Sequence, residues 1–161
     1  MKSKFRLFSA FAAFACVLAS GFAWGADTKS ADLGVPVAQN GEKIYYCPAT
    51  EATTNKHRYL QLAFDEATNK NDTVSLLCDV FENCHLVVSN CLTLLTSKHS
   101  IGGMVVKGVD KYYESYFATI AITNGAKLVL KSEGPIASGM FNFQCAFEMF
   151  GGSLDVSGGV F

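Results

Sequence analysis

The stretch FNFQCAFEM, residues 141–149, decides the fold class that the sequence predicts. Every second residue in it is apolar: Phe141, Phe143, Cys145, Phe147 and Met149. Successive side chains of a β-strand point to opposite faces, so this alternation predicts a strand with one buried face. Gly151-Gly152 then turns the chain, and Leu154 and Val156 continue the alternation in a short last strand.

The same period recurs upstream of this stretch. Apolar residues alternate at Leu60, Leu62 and Phe64, then at Val74, Leu76, Cys78 and Val80, and again at Cys84, Leu86 and Val88. No long amphipathic helix is visible, and residues 63–70 favour a single helical turn at most. Short strands with a turn about every ten residues predict an all-β domain, either an antiparallel β-sandwich or a small barrel.

One turn carries a strong hairpin signal. The aromatic and β-branched run at residues 111–123 ends at Asn124-Gly125, a dipeptide typical of tight turns between paired strands. A three-residue turn sets Ile122 against Leu128 and keeps the apolar side chains on one face. We therefore expect the strands on either side of Asn124 to pair with each other in antiparallel fashion.

A parallel architecture is the alternative. Residues 124–130, NGAKLVL, and residues 151–156, GGSLDV, are alike and lie 27 residues apart. Such Gly-Leu-x-Val pieces resemble the coils of parallel β-solenoids in bacterial surface proteins. A solenoid needs about three repeats, and no third clear copy is visible, so the sandwich or barrel is preferred.

The first residues indicate export. Lys2, Lys4 and Arg6 precede an apolar run at residues 7–18 and a small-residue stretch at 19–26. This order predicts a cleavable signal peptide, residues 1–25, with the cut after Gly25. An uncleaved anchor, or a lipid on Cys16, is the less favoured alternative. Residues 26–42 are polar and predict a flexible N-terminal arm, and residues 43–161 form a single β-rich domain.

The charge balance narrows the choice of partners. The 161-residue chain has a formal net charge of −1, and three of its basic residues fall in the signal. The mature chain is therefore acidic and has no basic run, so we expect no nucleic-acid partner and no anchoring to anionic lipid. We also expect no transmembrane span after signal cleavage. No phosphate loop or dinucleotide fingerprint is present, and we expect no cofactor.

Five of the six cysteines lie outside the signal. Exported chains meet oxidising conditions, so disulfides are expected among Cys47, Cys78, Cys84 and Cys145. A Cys78–Cys84 bridge across a hairpin is preferred, and Cys145 could pair with Cys47 or Cys91. The opposite parity of Cys91 on its strand makes it the candidate for a free or intermolecular thiol.

Catalytic and metal sites find little support. Cys84 and His85 are neighbours on a strand and point to opposite faces, so this His cannot activate this Cys. A metal site built from Cys84, His85, Cys91 and His99 lacks zinc spacing, and no metal is expected. Glu114, flanked by tyrosines, is the unusual carboxylate. A hydrolase would need Glu114, His57 or His99 to meet in one cleft.

The aromatic strand offers a surface instead. Tyr112-Tyr113 and Tyr116-Phe117 crowd one segment, and the alternation predicts that Tyr113 and Phe117 form a recognition surface. We therefore expect a non-catalytic exported envelope protein, periplasmic, outer-membrane-associated or secreted, that binds another envelope or extracellular protein. The protein is also a candidate for self-association and for an accessory component of a surface or secretion assembly.

The alternative function is a small secreted hydrolase or a hydrolase inhibitor. Ala137-Ser138-Gly139 resembles the Ala-Ser-Gly turn of small β-barrel lysozyme inhibitors of bacterial envelopes. The geometry around Glu114, His57 and His99 distinguishes an enzyme from a binding protein.

Overall fold

The computed structural model describes residues 33–109, 111–131 and 145–157. Within them lie eleven strands and the helix α1 (Lys56–Glu66). The strands are β1 (Val35–Asn40), β2 (Lys43–Cys47), β3 (Thr73–Leu76), β4 (Cys84–Val88), β5 (Cys91–Leu95), β6 (Gly103–Lys107), β7 (Tyr112–Tyr116), β8 (Ala118–Ile122), β9 (Lys127–Lys131), β10 (Cys145–Met149) and β11 (Ser153–Ser157). The prediction of a mainly β chain is confirmed.

The strands form three sheets. The largest has the order β11-β9-β5-β3-β1-β2, the second has the order β10-β8-β4, and β6 pairs with β7 alone. The ladders from β11 to β3 and all those of the second sheet are parallel, whereas β1 pairs antiparallel with both β2 and β3. The two larger sheets are therefore built mostly on parallel pairing.

Consecutive strand pairs stack as three layers. We call β4–β5 the first layer, β8–β9 the second and β10–β11 the third. Each residue stands over its equivalent in the next layer: Leu86 aligns with Ile120 and Phe147, and Leu92 aligns with Leu128 and Leu154. These columns fill the interior, and their members in the first two layers are at most 2% exposed.

The expected antiparallel pairing of β8 with β9 is wrong. The Asn124-Gly125 turn leads the chain from one sheet into the other, so Ile122 pairs with Val88 and Met149 instead of Leu128. The backbone groups of the turn bond to the neighbouring layers, with Thr123 N donating to Val88 O at 3.0 Å and Ser153 N donating to Ala126 O at 3.0 Å. A sandwich of antiparallel hairpins and a closed barrel are absent from the described residues.

The two similar segments behind the alternative do lie side by side. Lys127 pairs with Ser153 and Leu128 with Leu154 in a parallel ladder. The third copy is β5, where Leu92 and Leu94 align with Leu128 and Leu130. Ser89 and Asn90 precede β5 where the other two segments carry a glycine, so the glycine-based comparison of those segments does not reveal this copy.

Residues 56–66 form a helix, although Leu60, Leu62 and Phe64 suggested a strand. Leu60, Ala63, Phe64 and Ala67 are buried, and their spacing of three and four residues is that of one helix face. Leu62 lies on the other side of the helix and is 46% exposed. Eleven residues satisfy either period over a few positions, and packing against the sheets selects the helical one.

The N-terminal boundaries also differ from expectation. Residues 35–40, which fall within the predicted arm, form β1, and Val37 and Ala38 are fully buried there. The predicted signal peptide and residues 141–144 of the opening stretch lie outside the described residues. Residues 145–149 of that stretch form β10 as expected. Among the described residues, no helix has the length and apolarity needed to cross a membrane.

Candidate functional site

Strands β6 and β7 form a two-stranded hairpin that pairs with no other described strand. The register sets Met104 against Ser115 and Val106 against Tyr113. Opposed residues of a sheet point to the same side, so these four share one face. Phe117 follows β7 at the same parity as Tyr113. We call Met104, Val106, Tyr113 and Phe117 the hairpin face.

The hairpin face is apolar and open to solvent. Tyr113 is 60% exposed, Phe117 64%, Val106 48% and Met104 37%. At the turn between the strands, Val109 is 98% exposed. Exposed apolar clusters of this kind mark sites of interaction, and tyrosine and methionine are enriched at protein interfaces. The predicted pair Tyr113 and Phe117 thus lies within a larger surface, to which β6 contributes residues that the sequence did not single out.

The opposite face of the hairpin carries its charges. Lys107 Nζ lies 3.7 Å from a Glu114 carboxylate oxygen, and both side chains are nearly half exposed. Tyr116 hydrogen-bonds Glu114, and this bond, together with burial, raises the pKa of Tyr116 to about 12. Glu114 therefore has two partners on its own hairpin, Lys107 and Tyr116, and its carboxylate is partly exposed at the edge of the sheet.

The base of the hairpin is attached to the layers. Phe117 N donates to Asn83 Oδ1 at 2.7 Å, and Cys84 N donates to Phe117 O at 3.2 Å. The ring of Tyr116 packs on Phe81, with centroids 6.4 Å apart. These contacts hold the start of β4 and the end of β7 together, so the hairpin face is presented from a fixed base.

His57 belongs to a separate cluster around Glu82. This carboxylate is 5% exposed and accepts the backbone N–H groups of Lys56 at 2.9 Å and His57 at 3.0 Å. His57 Nδ1 lies 2.7 Å from the same side chain. The first N–H groups of a helix lack intrahelical partners, and the side chain of the N-cap residue Asn55 makes no capping bond to them, so Glu82 serves as the cap of α1.

His99, the remaining catalytic candidate, also lies beside a carboxylate. Its Nδ1 lies 3.7 Å from Asp79 Oδ1, which also accepts the Ser100 N–H at 2.8 Å. His57 and His99 therefore each pair with a carboxylate near the segment between β3 and β4, while Glu114 pairs with Lys107 on the hairpin. The structure does not bring the three proposed catalytic candidates together. Glu82 carried no sequence signal, because it lies about 25 residues from the helix that it caps.

The five described cysteines, Cys47, Cys78, Cys84, Cys91 and Cys145, are all free thiols. The expected Cys78–Cys84 bridge is absent because β3 and β4 lie in different sheets and do not form a hairpin. Cys145 is not bridged to Cys47 or Cys91 either. Cys91 Sγ lies 3.7 Å from Gly125 O, in the neighbouring turn.

Cys84 and Cys145 occupy the same column, on either side of Ala118. Two strand spacings separate their Cα atoms by about 9.5 Å, which exceeds the separation that a disulfide spans. Burial raises the pKa of the Cys84 thiol to about 11 and that of Cys145 to about 12. Such thiols are protonated and poorly nucleophilic near neutral pH, so they act as small apolar packing groups.

The metal site, the inhibitor-like segment and the comparison with known proteins complete the description. No group of three or more His, Cys, Asp and Glu side chains in the described ranges is arranged to hold a metal ion. The segment 137–139, which resembles a lysozyme-inhibitor turn, lies outside those ranges. Comparison with models of protein families, with curated proteins and with solved structures finds no match to this chain.

Proposed function

We propose that this chain is a non-catalytic exported protein of the bacterial envelope that binds another envelope or extracellular protein through the hairpin face. Export is supported by the basic, apolar and small-residue order of residues 1–26. The stacked parallel layers supply a short solenoid scaffold. A protein whose distinctive feature is a binding surface is suited to be an accessory component of a surface or secretion assembly.

The observation that carries the proposal is the exposure of Tyr113 and Phe117 beside Met104 and Val106. A partner that covers these side chains gains roughly 25 cal/mol of binding free energy for each Å² of apolar surface removed from water. Tyrosine supplies a large contact area at a small cost in conformational entropy, because it has few rotatable bonds. The hairpin face is therefore suited to bind a complementary apolar surface.

The backbone of the hairpin favours a protein partner over a lipid bilayer. Each of its strands is paired on one side only within the described residues. An unpaired N–H or C=O group costs several kcal/mol in hydrocarbon, so a two-stranded hairpin does not enter a bilayer core readily. An extended segment of another protein can bond to these edges while its side chains cover the hairpin face.

Photo-crosslinking in the producing cells tests the proposal. A photoreactive amino acid is placed at position 106 or 113, and at position 62 as the control. Leu62 is 46% exposed on α1, away from the hairpin, so it matches Val106 in exposure. We expect positions 106 and 113 to capture the same protein in the envelope or medium fraction, and position 62 to capture none.

Substitution then links the capture to the side chains. The double variant Tyr113→Ser, Phe117→Ser removes two aromatic anchors and should weaken binding by at least thirtyfold or so, the effect of losing a hot-spot residue. Circular dichroism identical to that of the parent chain controls for folding. Equal capture at positions 62 and 113, or an intact complex with the double variant, would exclude this surface.

A further inference from the structure

The turn between β8 and β9 exposes an Asn-Gly dipeptide. The Ala126 N–H donates to Thr123 O at 3.0 Å across this turn, and Gly125 has a φ of 80°. Asn124 and Gly125 are both exposed, and no atom lies within 4 Å of the position that a Cβ on Gly125 would take. The peptide bond that joins Asn124 to Gly125 is therefore open to solvent.

The groups of this dipeptide that can react with each other are not restrained by hydrogen bonds. In the part of the chain that the structure describes, neither Gly125 N nor the Asn124 side-chain amide takes part in a hydrogen bond. The backbone nitrogen that follows an asparagine can attack the side-chain Cγ atom and close a five-membered ring. Glycine allows this approach best, because it has no Cβ and its backbone is the least restricted.

A second Asn-Gly dipeptide, Asn40-Gly41, provides an internal comparison. Asn40 is the last residue of β1 and pairs with Lys43 on one side and with Val74 on the other. Gln39 Nε2 also donates to Gly41 O at 2.8 Å. The Gly41 nitrogen can approach the Asn40 side chain only if the peptide between them rotates, and that rotation disturbs these contacts. The strand pairing therefore protects Asn40, although its local sequence is the same.

We propose that Asn124 is a site of spontaneous deamidation and that the folded chain is modified there before it is modified at Asn40. Gly125 N forms a bond to Asn124 Cγ, the Cγ–Nδ2 bond breaks, and ammonia leaves with the Gly125 amide proton. Water then adds to either carbonyl carbon of the cyclic imide. The bond from that carbon to Gly125 N breaks, the nitrogen takes up a proton, and aspartate or isoaspartate remains.

Isoaspartate lengthens the main chain of the turn by one atom. The turn is held on both sides, because Thr123 N donates to Val88 O in the first layer and Ser153 N donates to Ala126 O, both at 3.0 Å. The longer main chain must displace at least one of these bonds, so each modified copy loses stability. Deamidation thus acts as a timer on the lifetime of the folded protein. The turn lies outside the hairpin face, and the inference goes beyond the proposed function.

Peptide mapping of the protein purified from its producing cells, after incubation at mildly alkaline pH, tests the inference. Trypsin places Asn40 in peptide 30–43 and Asn124 in peptide 112–127, and neither peptide contains another asparagine. Mass spectrometry follows the increase in mass as an amide becomes a carboxyl group. In the folded chain we expect Asn124 to react at least about fivefold faster, because a hydrogen bond of the ladder must open at Asn40. In guanidinium chloride the two rates should become similar.

Two variants separate the site from its consequence. Asn124→Gln keeps a side-chain amide but must close a larger ring, so peptide 112–127 should no longer gain mass while peptide 30–43 reacts as before. Ion exchange isolates the deamidated copies of the parent chain, whose thermal midpoint should be lower by about 3–8 °C, as expected for the loss of one or two hydrogen bonds. Asn124→Asp carries the new charge on an unaltered main chain and should lower the midpoint by less.

Three results would overturn the inference. The first is an equal rate at the two asparagines of the folded chain, or a faster one at Asn40. The second is an unchanged gain of mass in peptide 112–127 of Asn124→Gln. The third is a thermal midpoint of the deamidated copies that equals that of the unmodified chain. Crosslinking at the hairpin face does not depend on this turn, so failure of one proposal leaves the other to its own test.

Discussion

Replacing Gln61 by Ala should destabilise the fold by more than the loss of a half-buried polar side chain on a helix surface suggests. The Gln61 amide is the only side-chain group in the described residues with hydrogen bonds to both backbone groups of Val87, on the outer edge of β4. An amide of this kind substitutes for a strand of the ladder. Its removal leaves a donor and an acceptor of the first layer unpaired beneath the helix.

The magnitude follows from those two bonds. Each is 2.8 Å long, and a typical intramolecular hydrogen bond contributes about 0.5–1.5 kcal/mol net. Alanine recovers a few tenths of a kcal/mol through its higher helix propensity. We therefore expect Gln61→Ala to lower the free energy of unfolding by about 1–2.5 kcal/mol.

Urea unfolding of residues 26–161, followed by far-ultraviolet circular dichroism, measures the change. Asp65→Ala is the matched control. Gln61 also donates to Asp65 Oδ1 at 2.8 Å on the exposed side of the helix, so this variant removes the third bond of the amide and spares Val87. Asp65→Ala should cost less than about 0.5 kcal/mol, as exposed pairs along a helix do. Equal losses in the two variants would refute the assignment of Gln61 as the cover of β4.

Three further predictions concern the helix cap, an ion pair and a turn. Glu82→Ala leaves two helix N–H groups and His57 without their acceptor and should cost about 2–4 kcal/mol in urea unfolding, whereas Glu82→Gln, which keeps one acceptor oxygen, should cost less. Hydrogen bonds from Lys43, and then from Tyr45, lower the pKa of Glu66. The stability that they confer is present above the unfolded carboxyl pKa and lost as pH falls through the folded one. Stability measured between roughly pH 5 and pH 3 should therefore fall less steeply in Glu66→Gln, and parallel curves would contradict this. Gly152→Ala places a Cβ 2.4 Å from Ile122 Cγ2 and 2.7 Å from Thr123 O, so the turn must shift, and we expect a loss of about 1–3 kcal/mol in thermal unfolding, with unchanged stability as the contrary result.

Only part of the hairpin face could be predicted from the sequence. Tyr113 and Phe117 were identified from residue type and parity alone, and both are exposed. Met104 and Val106 join them only because β6 pairs with β7 in one register. A strand pattern states which residues share a face, but it does not state which strand lies alongside, so half of the hairpin face could not be predicted.

The cysteines illustrate the same limit. Their spacing along the chain suggested a hairpin bridge between Cys78 and Cys84, which requires two consecutive strands to be neighbours. The chain instead passes from β3 in one sheet to β4 in another, and the thiols stay apart. Likewise, Glu82 caps a helix that lies far away in sequence, so nothing local marks its role.

The sequence by itself determined that the chain is mainly β and which side chains of β4 and β9 face the interior. Period two is a local property of strand geometry, and Leu86, Val88, Leu128 and Leu130 are buried as it requires. Only the tertiary structure decided the direction and the partners of those strands. An alternating strand has the same buried face in parallel and antiparallel pairing, so the choice depends on burial summed over all three layers. In the first layer, that sum includes α1, whose Gln61 side chain covers the outer edge of β4.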